Sequence, residues 1–380
     1  MRIAGIIAEY NPFHNGHRLH IERTREAGAT HIVCIMSGAA VQRGDIAVFD
    51  KHERAACAVR NGADLVIELP APFSCMSGER FATAGVKLMA GLGEGAVELL
   101  SFGSECGDIE ELKKAADISE GLESSHEVKS LISSGLSYPA AVSRAAGGGE
   151  VFSSPNGLLA VEYIKALRRY APWAEPLAVE RRGARHDSSE TDGEIASASM
   201  LREKLRLGED ISAFLPESFE GERYFLKNAD RVILYAVMSA DMERLMRLPD
   251  MNEGLAKRFL SVRDGVSSAE EFALRLKNKS VTLARVRRTL MHLVLGITQD
   301  MPEAPEYGRI LALNDRGREI LAGCKNRTLC FDTSLARLER LSENAKKIAA
   351  AENRAAALQQ LCAAETKPMR NEYSRKIELI

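Results

Sequence analysis

The N-terminal part of this chain alternates short apolar runs with stretches of helical periodicity, and that alternation restricts its fold more than any other feature. Residues 2–9, 30–36 (THIVCIM), 64–69 (DLVIEL) and 96–102 (AVELLSF) read as strands. Residues 16–27, 50–61 and 77–90 read as helices, closed by Gly28, Gly62 and Gly91, because glycine turns most easily past a helix C-terminus. Near-continuous apolar strands separated by helices predict βαβ units and a parallel sheet covered on both faces. Helices are further expected within 108–146 and at 158–170, with a linker at 145–157 and a strand at 176–182. A polar loop follows at 183–194. Ser197 then caps a helix reaching Leu205. Beyond residue 210 the pattern is mostly helical (229–247, 253–262, 269–276, 282–295 and 332–362), with one short strand at 308–314.

The first strand-to-helix junction, EYNPFHNGHRLH, carries His14-Asn15-Gly16-His17. Transfer at an α-phosphate needs hydrogen-bond donors, positive ones above all, where negative charge grows in the transition state. Two imidazoles at a helix start supply them, aided by backbone N–H groups. Gly16 lets a nucleotide approach the backbone, and Asn11-Pro12 sets the turn. Surface histidines are the commoner meaning of the spacing alone. The strand before and the helix after shift the reading to an ATP phosphate site and adenylyl transfer. His20 stands evenly between the site and its support.

Other segments carry chemistry only in company with this one. SASMLR (197–202) offers hydroxyls and amides for leaving phosphates and Arg202 for pyrophosphate; alone it is a serine cap and a surface arginine. The loop 37–59 places Gln42, Arg43, Lys51 and Arg54 beyond the second strand, where open α/β sheets bind ligands; a solvated loop explains it equally. Gly103, past the fourth strand, suits contact with adenine or ribose, or is a turn glycine. RLKNKSVTLARVRR (275–288) gathers Arg275, Lys277, Lys279, Arg285, Arg287 and Arg288. Such a cluster binds phosphate backbone, although a charged helix face is its usual meaning.

Composition narrows the classes. The 380 residues suggest two domains, and a net charge of −2 gives no global basic field, so any nucleic-acid surface is a local patch. The seven cysteines show no Cys-x-x-Cys spacing, which fits neither a disulfide framework nor a zinc site and suits a reducing cytoplasm. The opening residues lead straight into a strand rather than a secretion signal, and no apolar run has the length of a membrane span.

The His-x-Gly-His turn resembles that of nucleotidyltransferases and class I aminoacyl-tRNA synthetases. More closely, GIIAEYNPFHNGHRLH (5–20), the SG..VQRG loop (37–44), GADLVIELP (62–70), SFGSE (101–105), SPNGLLAVEYIKAL (154–167), RRGARHDS (181–188), SASMLR and LNDRGREIL (313–321) are similar, in order, to the bacterial tRNA(Met) cytidine acetate ligases. The resemblance implies a Rossmann-like nucleotidyltransferase domain over 1–208 and a mainly helical domain over 209–380 that contacts tRNA. It implies activation of acetate by ATP to acetyl-adenylate, then transfer of the acetyl group to N4 of the wobble cytidine of elongator tRNA(Met), without acetyl-coenzyme A. His14 and His17 would be catalytic. ATP would be held by Ile7, Ala8, Glu9, Tyr10, Asn11, Pro12, Phe13, Asn15, Gly16, Arg18, Leu19 and His20, by Gly103, Asn156 and Arg181, and by Ser197, Ser199 and Arg202 near the pyrophosphate. Lys277, Lys279, Arg285 and Arg288 would meet tRNA. Mg²⁺ would accompany the triphosphate, with no carboxylate cage visible for it. The chain departs from the family pattern at Ala39-Ala40, where Asn-Phe is usual, and at Gly157, where a polar residue is usual; both are expected beside ligand contacts, bearing on acetate or tRNA more than on ATP. Two other readings remain open: a small-molecule adenylyltransferase, and a non-catalytic nucleotide- or RNA-binding relative.

Overall fold

The computed structural model describes residues 1–181, 193–375 and 377–380. Of the loop expected at 183–194 and of the motif RRGARHDS, residues 182–192 lie outside the described residues. The strands are β1 (Ile3–Ala8), β2 (His31–Ser37), the paired β3 (Ala40–Val41) and β4 (Asp45–Ile46), β5 (Leu65–Leu69), β6 (Leu99–Ser104), β7 (Glu175–Glu180), β8 (Tyr307–Leu313), β9 (Cys330–Asp332) and β10 (Glu378–Leu379). Among the described residues the main sheet has eight strands, in the order β10-β8-β5-β2-β1-β6-β7, with β9 also on β8. From β5 to β7 every pairing is parallel, with Ile6 opposite Cys34 and Ser101. β1 therefore stands between β2 and β6, where the winding of the sheet reverses. Such a switch point opens a crevice at the carboxyl ends of its strands.

β8 runs antiparallel to β5 and carries β9 and β10 with it. These strands lie within the span 209–380 expected to be mainly helical, where one strand is expected at 308–314; the chain re-enters the sheet at Tyr307. The helices between Asp230 and Leu295 pack a separate core, in which Phe259 and Phe272 meet edge to face at 4.7 Å. Several expected long helices are broken by capping side chains. Asp241 starts a new helix after Ser239, Ser342 starts Glu343–Leu361, and Ser125 caps Val128 within 108–146. The expected linker at 145–157 contains the helical turn Glu150–Ser153, and Ser154 caps Pro155–Tyr170.

The sheet is bolted to the C-terminal helix by buried charges. Lys51 Nζ lies 2.5 Å from Glu68 Oε1, 2.8 Å from Glu352 Oε1 and 3.2 Å from Glu372 Oε1, and Arg309 lies 2.7 Å from Glu372. Glu352 also accepts the backbone N–H groups of Ala39 and Ala71. Burial and the neighbouring Glu352 push the Glu68 carboxyl up to about 7. Arg54 is buried and donates to the carbonyls of Glu9, Ser37, Gly38 and Phe49. Arg54 thus holds the ends of β1 and β2, and Lys51 ties β5 to the C-terminal helix, instead of facing a ligand. Ala39 and Ala40 are fully buried among Ala71, Cys75, Met291 and Ala355, so that departure lies in the core. Gly157 is steric: a Cβ there would stand 2.4 Å from the Val151 carbonyl oxygen.

Candidate active site

The turn after β1 is anchored from below. Tyr10 and Phe13 are buried edge to face at 4.8 Å, and the Tyr10 hydroxyl lies 3.2 Å from Cys34 Sγ. Asn11, joined to Pro12 by a cis peptide, accepts the Val48 N–H at Oδ1. Arg202 donates to the Asn11 carbonyl at 2.8 Å and to Ser199 Oγ at 3.3 Å. Asn15 Nδ2 donates to the carbonyls of Glu194 and Ala213. These bonds fix the chain where the helix Asn15–Glu26 begins.

His14 is the N-cap of that helix. Its Nδ1 accepts the Gly16 N–H at 3.1 Å, and its own N–H donates to His17 Nδ1 at 3.3 Å. A backbone N–H can only donate, so each Nδ1 is an acceptor and each neutral ring carries its proton on Nε2. The rings lie 3.8 Å apart. Burial, then Arg181 and Arg202, hold the His14 pKa down to about 3; burial, then His14, Arg181 and His20, hold His17 well below its usual value. The sequence suggested positive donors; the structure makes them neutral N–H donors set among arginines. Gly16 serves the ring as well as a ligand, since a Cβ there would approach His14 Cε1 to 2.9 Å.

A cavity of about 1280 Å³ opens at the switch point. Ile7, Ala8, Glu9, Tyr10, Asn11, His14, Gly16, His17, Leu19 and His20 line one side, with Gly103, Asn156, Arg181 and Ser197 around them. The stem of Arg181 crosses Gly103, where a Cβ would lie 3.3 Å from Arg181 Cγ. Asn156 Nδ2 donates to Glu105 Oε1 at 2.6 Å. Arg181 and Arg202 titrate below the usual arginine value through burial, yet both remain cations at neutral pH. Other expected contacts fall outside the lining. Pro12 and Phe13 lie in the anchored turn, Asn15 is spent on backbone carbonyls, and Arg18 pairs with Glu22 at the surface. Ser199 and Arg202 are also absent from the lining, and Arg202 instead bonds the turn at the Asn11 carbonyl. Gln42 and Arg43 do reach the cavity.

The helical unit adds Asp250, Ser280, Thr282, Ala284, Arg285 and Arg288 to the lining. Lys277 and Lys279 are exposed outside it. Sequence reading missed Tyr138, Glu79 and Arg80 in this lining, and Glu105, which holds the lining residue Asn156 from behind; only SFGSE, which contains Glu105, carried a signal. It also passed over the buried ion cluster, although a carboxylate within the apolar run LVIEL marks Glu68. All seven cysteines are free thiols. Among the described residues no group of three or more His, Cys, Asp or Glu side chains is placed to hold a metal ion, and no helix is long and apolar enough to cross a membrane.

An open, mostly parallel α/β sheet with a His-x-Gly-His turn at its switch point defines a nucleotidyl transferase, and the model of the HIGH nucleotidyl transferase family matches residues 1–374. The tRNA(Met) cytidine acetate ligase of Alkaliphilus metalliredigens is 34% identical over 360 residues, 84% of each chain. That of Acetivibrio thermocellus is 33% identical over 361 residues, 86% of each chain. The crystal structure of apo Thermotoga maritima TmcAL superposes with a TM-score of 0.90 at 26% identity, and that of TmcAL bound with alpha-thio ATP with 0.88 at 27%, each over the whole of both chains. The chain belongs to the HIGH nucleotidyl transferases and, within them, to the tRNA(Met) cytidine acetate ligase family.

Proposed function

We propose that this protein joins acetate to ATP, releasing pyrophosphate, and passes the acetyl group to N4 of the wobble cytidine of elongator tRNA(Met). One observation carries the reading: two neutral imidazoles with Nε2–H donors share a single cavity with Arg181, Arg285 and Arg288. An acetate oxygen attacks the α-phosphorus, and the bond to the bridging oxygen of pyrophosphate breaks. His14 and His17 donate to the oxygens on which charge accumulates; donors so placed are each worth roughly 10²–10³ in rate. N4 of cytidine then attacks the acetyl carbonyl, AMP leaves, and the amine loses its proton.

The lining of Gly103, Asn156 and Arg181 suits the nucleoside, and the N-terminus of the helix Ala198–Leu207 beside Ser197 suits the leaving pyrophosphate. Mg²⁺ enters as the counter-ion of the triphosphate; among the described residues no acidic cage receives it. The arginines of the helical wall meet tRNA, and the free thiols suit work in the cytoplasm.

Purified protein incubated with labelled acetate, ATP, Mg²⁺ and bulk tRNA tests the proposal. Label in N4-acetylcytidine of tRNA(Met) is expected. Pyrophosphate exchange that needs a different substrate would instead support a small-molecule adenylyltransferase, and no exchange at all a non-catalytic binding protein.

A further inference from the structure

Beside the phosphate-facing pair, three side chains close a ring of hydrogen bonds. His20 Nε2 lies 2.9 Å from Ser101 Oγ, Ser101 Oγ lies 2.7 Å from Thr24 Oγ1, and Thr24 Oγ1 donates to the His20 carbonyl at 2.8 Å. Ser101 and Thr24 are both fully buried. Only one arrangement puts a proton into each of the three contacts. The carbonyl can only accept, so the Thr24 proton goes to it. Thr24 must then accept from Ser101, and Ser101 must accept from His20. The proton of the neutral imidazole is thereby placed on Nε2, leaving Nδ1 with a lone pair. Nδ1 has no hydrogen-bond partner among the described residues and is not a sealed atom, for His20 lines the cavity.

We propose that His20 Nδ1 accepts a hydrogen bond from a ribose hydroxyl of the bound nucleotide, and that Ser101 and Thr24 are positioning residues that fix this tautomer. The inference rests on the reading of the cavity as an ATP site. A lone pair repels phosphate oxygens and selects a donor. His20 follows His17 by three residues, on the same helix face and about 4.5 Å along the axis. The sugar is the part of ATP attached to the α-phosphate. Its hydroxyls, rather than the more distant adenine amino group, come within one helical turn of the phosphate-binding pair. Histidines 14, 17 and 20 thus present two donors to phosphate and one acceptor to sugar.

The test measures binding of ATP, 2′-deoxy-ATP, 3′-deoxy-ATP and purine riboside triphosphate to the full chain without acetate. Four proteins are compared: the parent, Ser101→Ala, Thr24→Val and Thr24→Ser. The parent should prefer ATP over one deoxy analogue by about tenfold, the value of one hydrogen bond. The preference should shrink to about twofold or less in Ser101→Ala and Thr24→Val, where the ring is released, and survive in Thr24→Ser, which keeps the hydroxyl. If Thr24→Val does not fold, Ser101→Ala decides. Nitrogen NMR of the parent should show the His20 proton on Nε2. A proton on Nδ1, a preference unchanged by Ser101→Ala, no preference against either deoxy analogue, or a loss confined to the purine analogue would each overturn the proposal. ATP binding with the ribose preference but without acetate-dependent exchange would uphold it and remove acetate from the proposed function. Absence of ATP binding would end both.

Discussion

The imidazole of His17 hangs on the backbone of His14: the His14 N–H donates to His17 Nδ1, and the two rings lie 3.8 Å apart. The bond that caps the helix therefore also fixes which nitrogen of His17 faces a ligand. Fold and chemistry share one contact, and both need the rings uncharged.

That requirement makes the fold acid-sensitive. Burial lowers the pKa of His14 to about 3 and those of His20 and His292 to about 4, with His17 lowered as well. Below the unfolded value near 6.5, the unfolded chain binds protons that the folded chain refuses. Stability is complete above that pH and falls as pH drops, by about 1.4 kcal/mol per pH unit for each histidine still neutral. Glu68, raised from 4.5 to about 7, opposes this as a single group. Calorimetry should show Tm falling from pH 7 to pH 5; a flat or rising Tm would contradict the assignment.

Gly103→Ala should raise the KM for ATP by roughly 3- to 10-fold with a smaller change in kcat, because a displacement of a few tenths of an ångström in Arg181 misplaces a binding group. Steady-state kinetics check this, and an unchanged KM would show that Arg181 does not touch the nucleotide.

Reversing charge at Arg285 and Arg288 should depress acetyl transfer to tRNA and spare acetyl-adenylate formation. Each lost phosphate contact should lower the salt slope of tRNA binding by about 1. The same change at Lys277 and Lys279, outside the cavity, should do less. Equal effects from the two pairs would return the basic run to a solvated helix face.

Glu352→Gln should destabilise the protein by roughly 3–5 kcal/mol, since it leaves the buried Lys51 short of a charged partner. Urea unfolding measures it, and a loss below about 1 kcal/mol would show that Glu68 and Glu372 suffice.

The central strands were legible because burial on both faces makes them continuous apolar runs, and the His-x-Gly-His turn because a strand and a helix frame it. The direction of β8 was not: apolar alternation carries no sign for parallel or antiparallel pairing, and the partner of Tyr307–Leu313 lies far back in the sequence. Lys51 and Arg54 stood evenly between ligand groups and a solvated loop, because a charge in sequence looks the same whether its partners are phosphates, carboxylates or carbonyls. The neutral state of His14 and His17 follows from burial and from backbone N–H groups, which residue types do not reveal. Gly157 looked like a lost polar contact until the Val151 carbonyl beside it showed that no side chain fits.

The most direct test is acetate-dependent exchange of pyrophosphate into ATP by the parent protein and by a His14→Asn, His17→Ala double variant, in which asparagine preserves the helix cap. The parent should exchange, and the folded variant should lose activity by about 10³-fold or more. Exchange at the parental rate in the folded double variant would contradict the account.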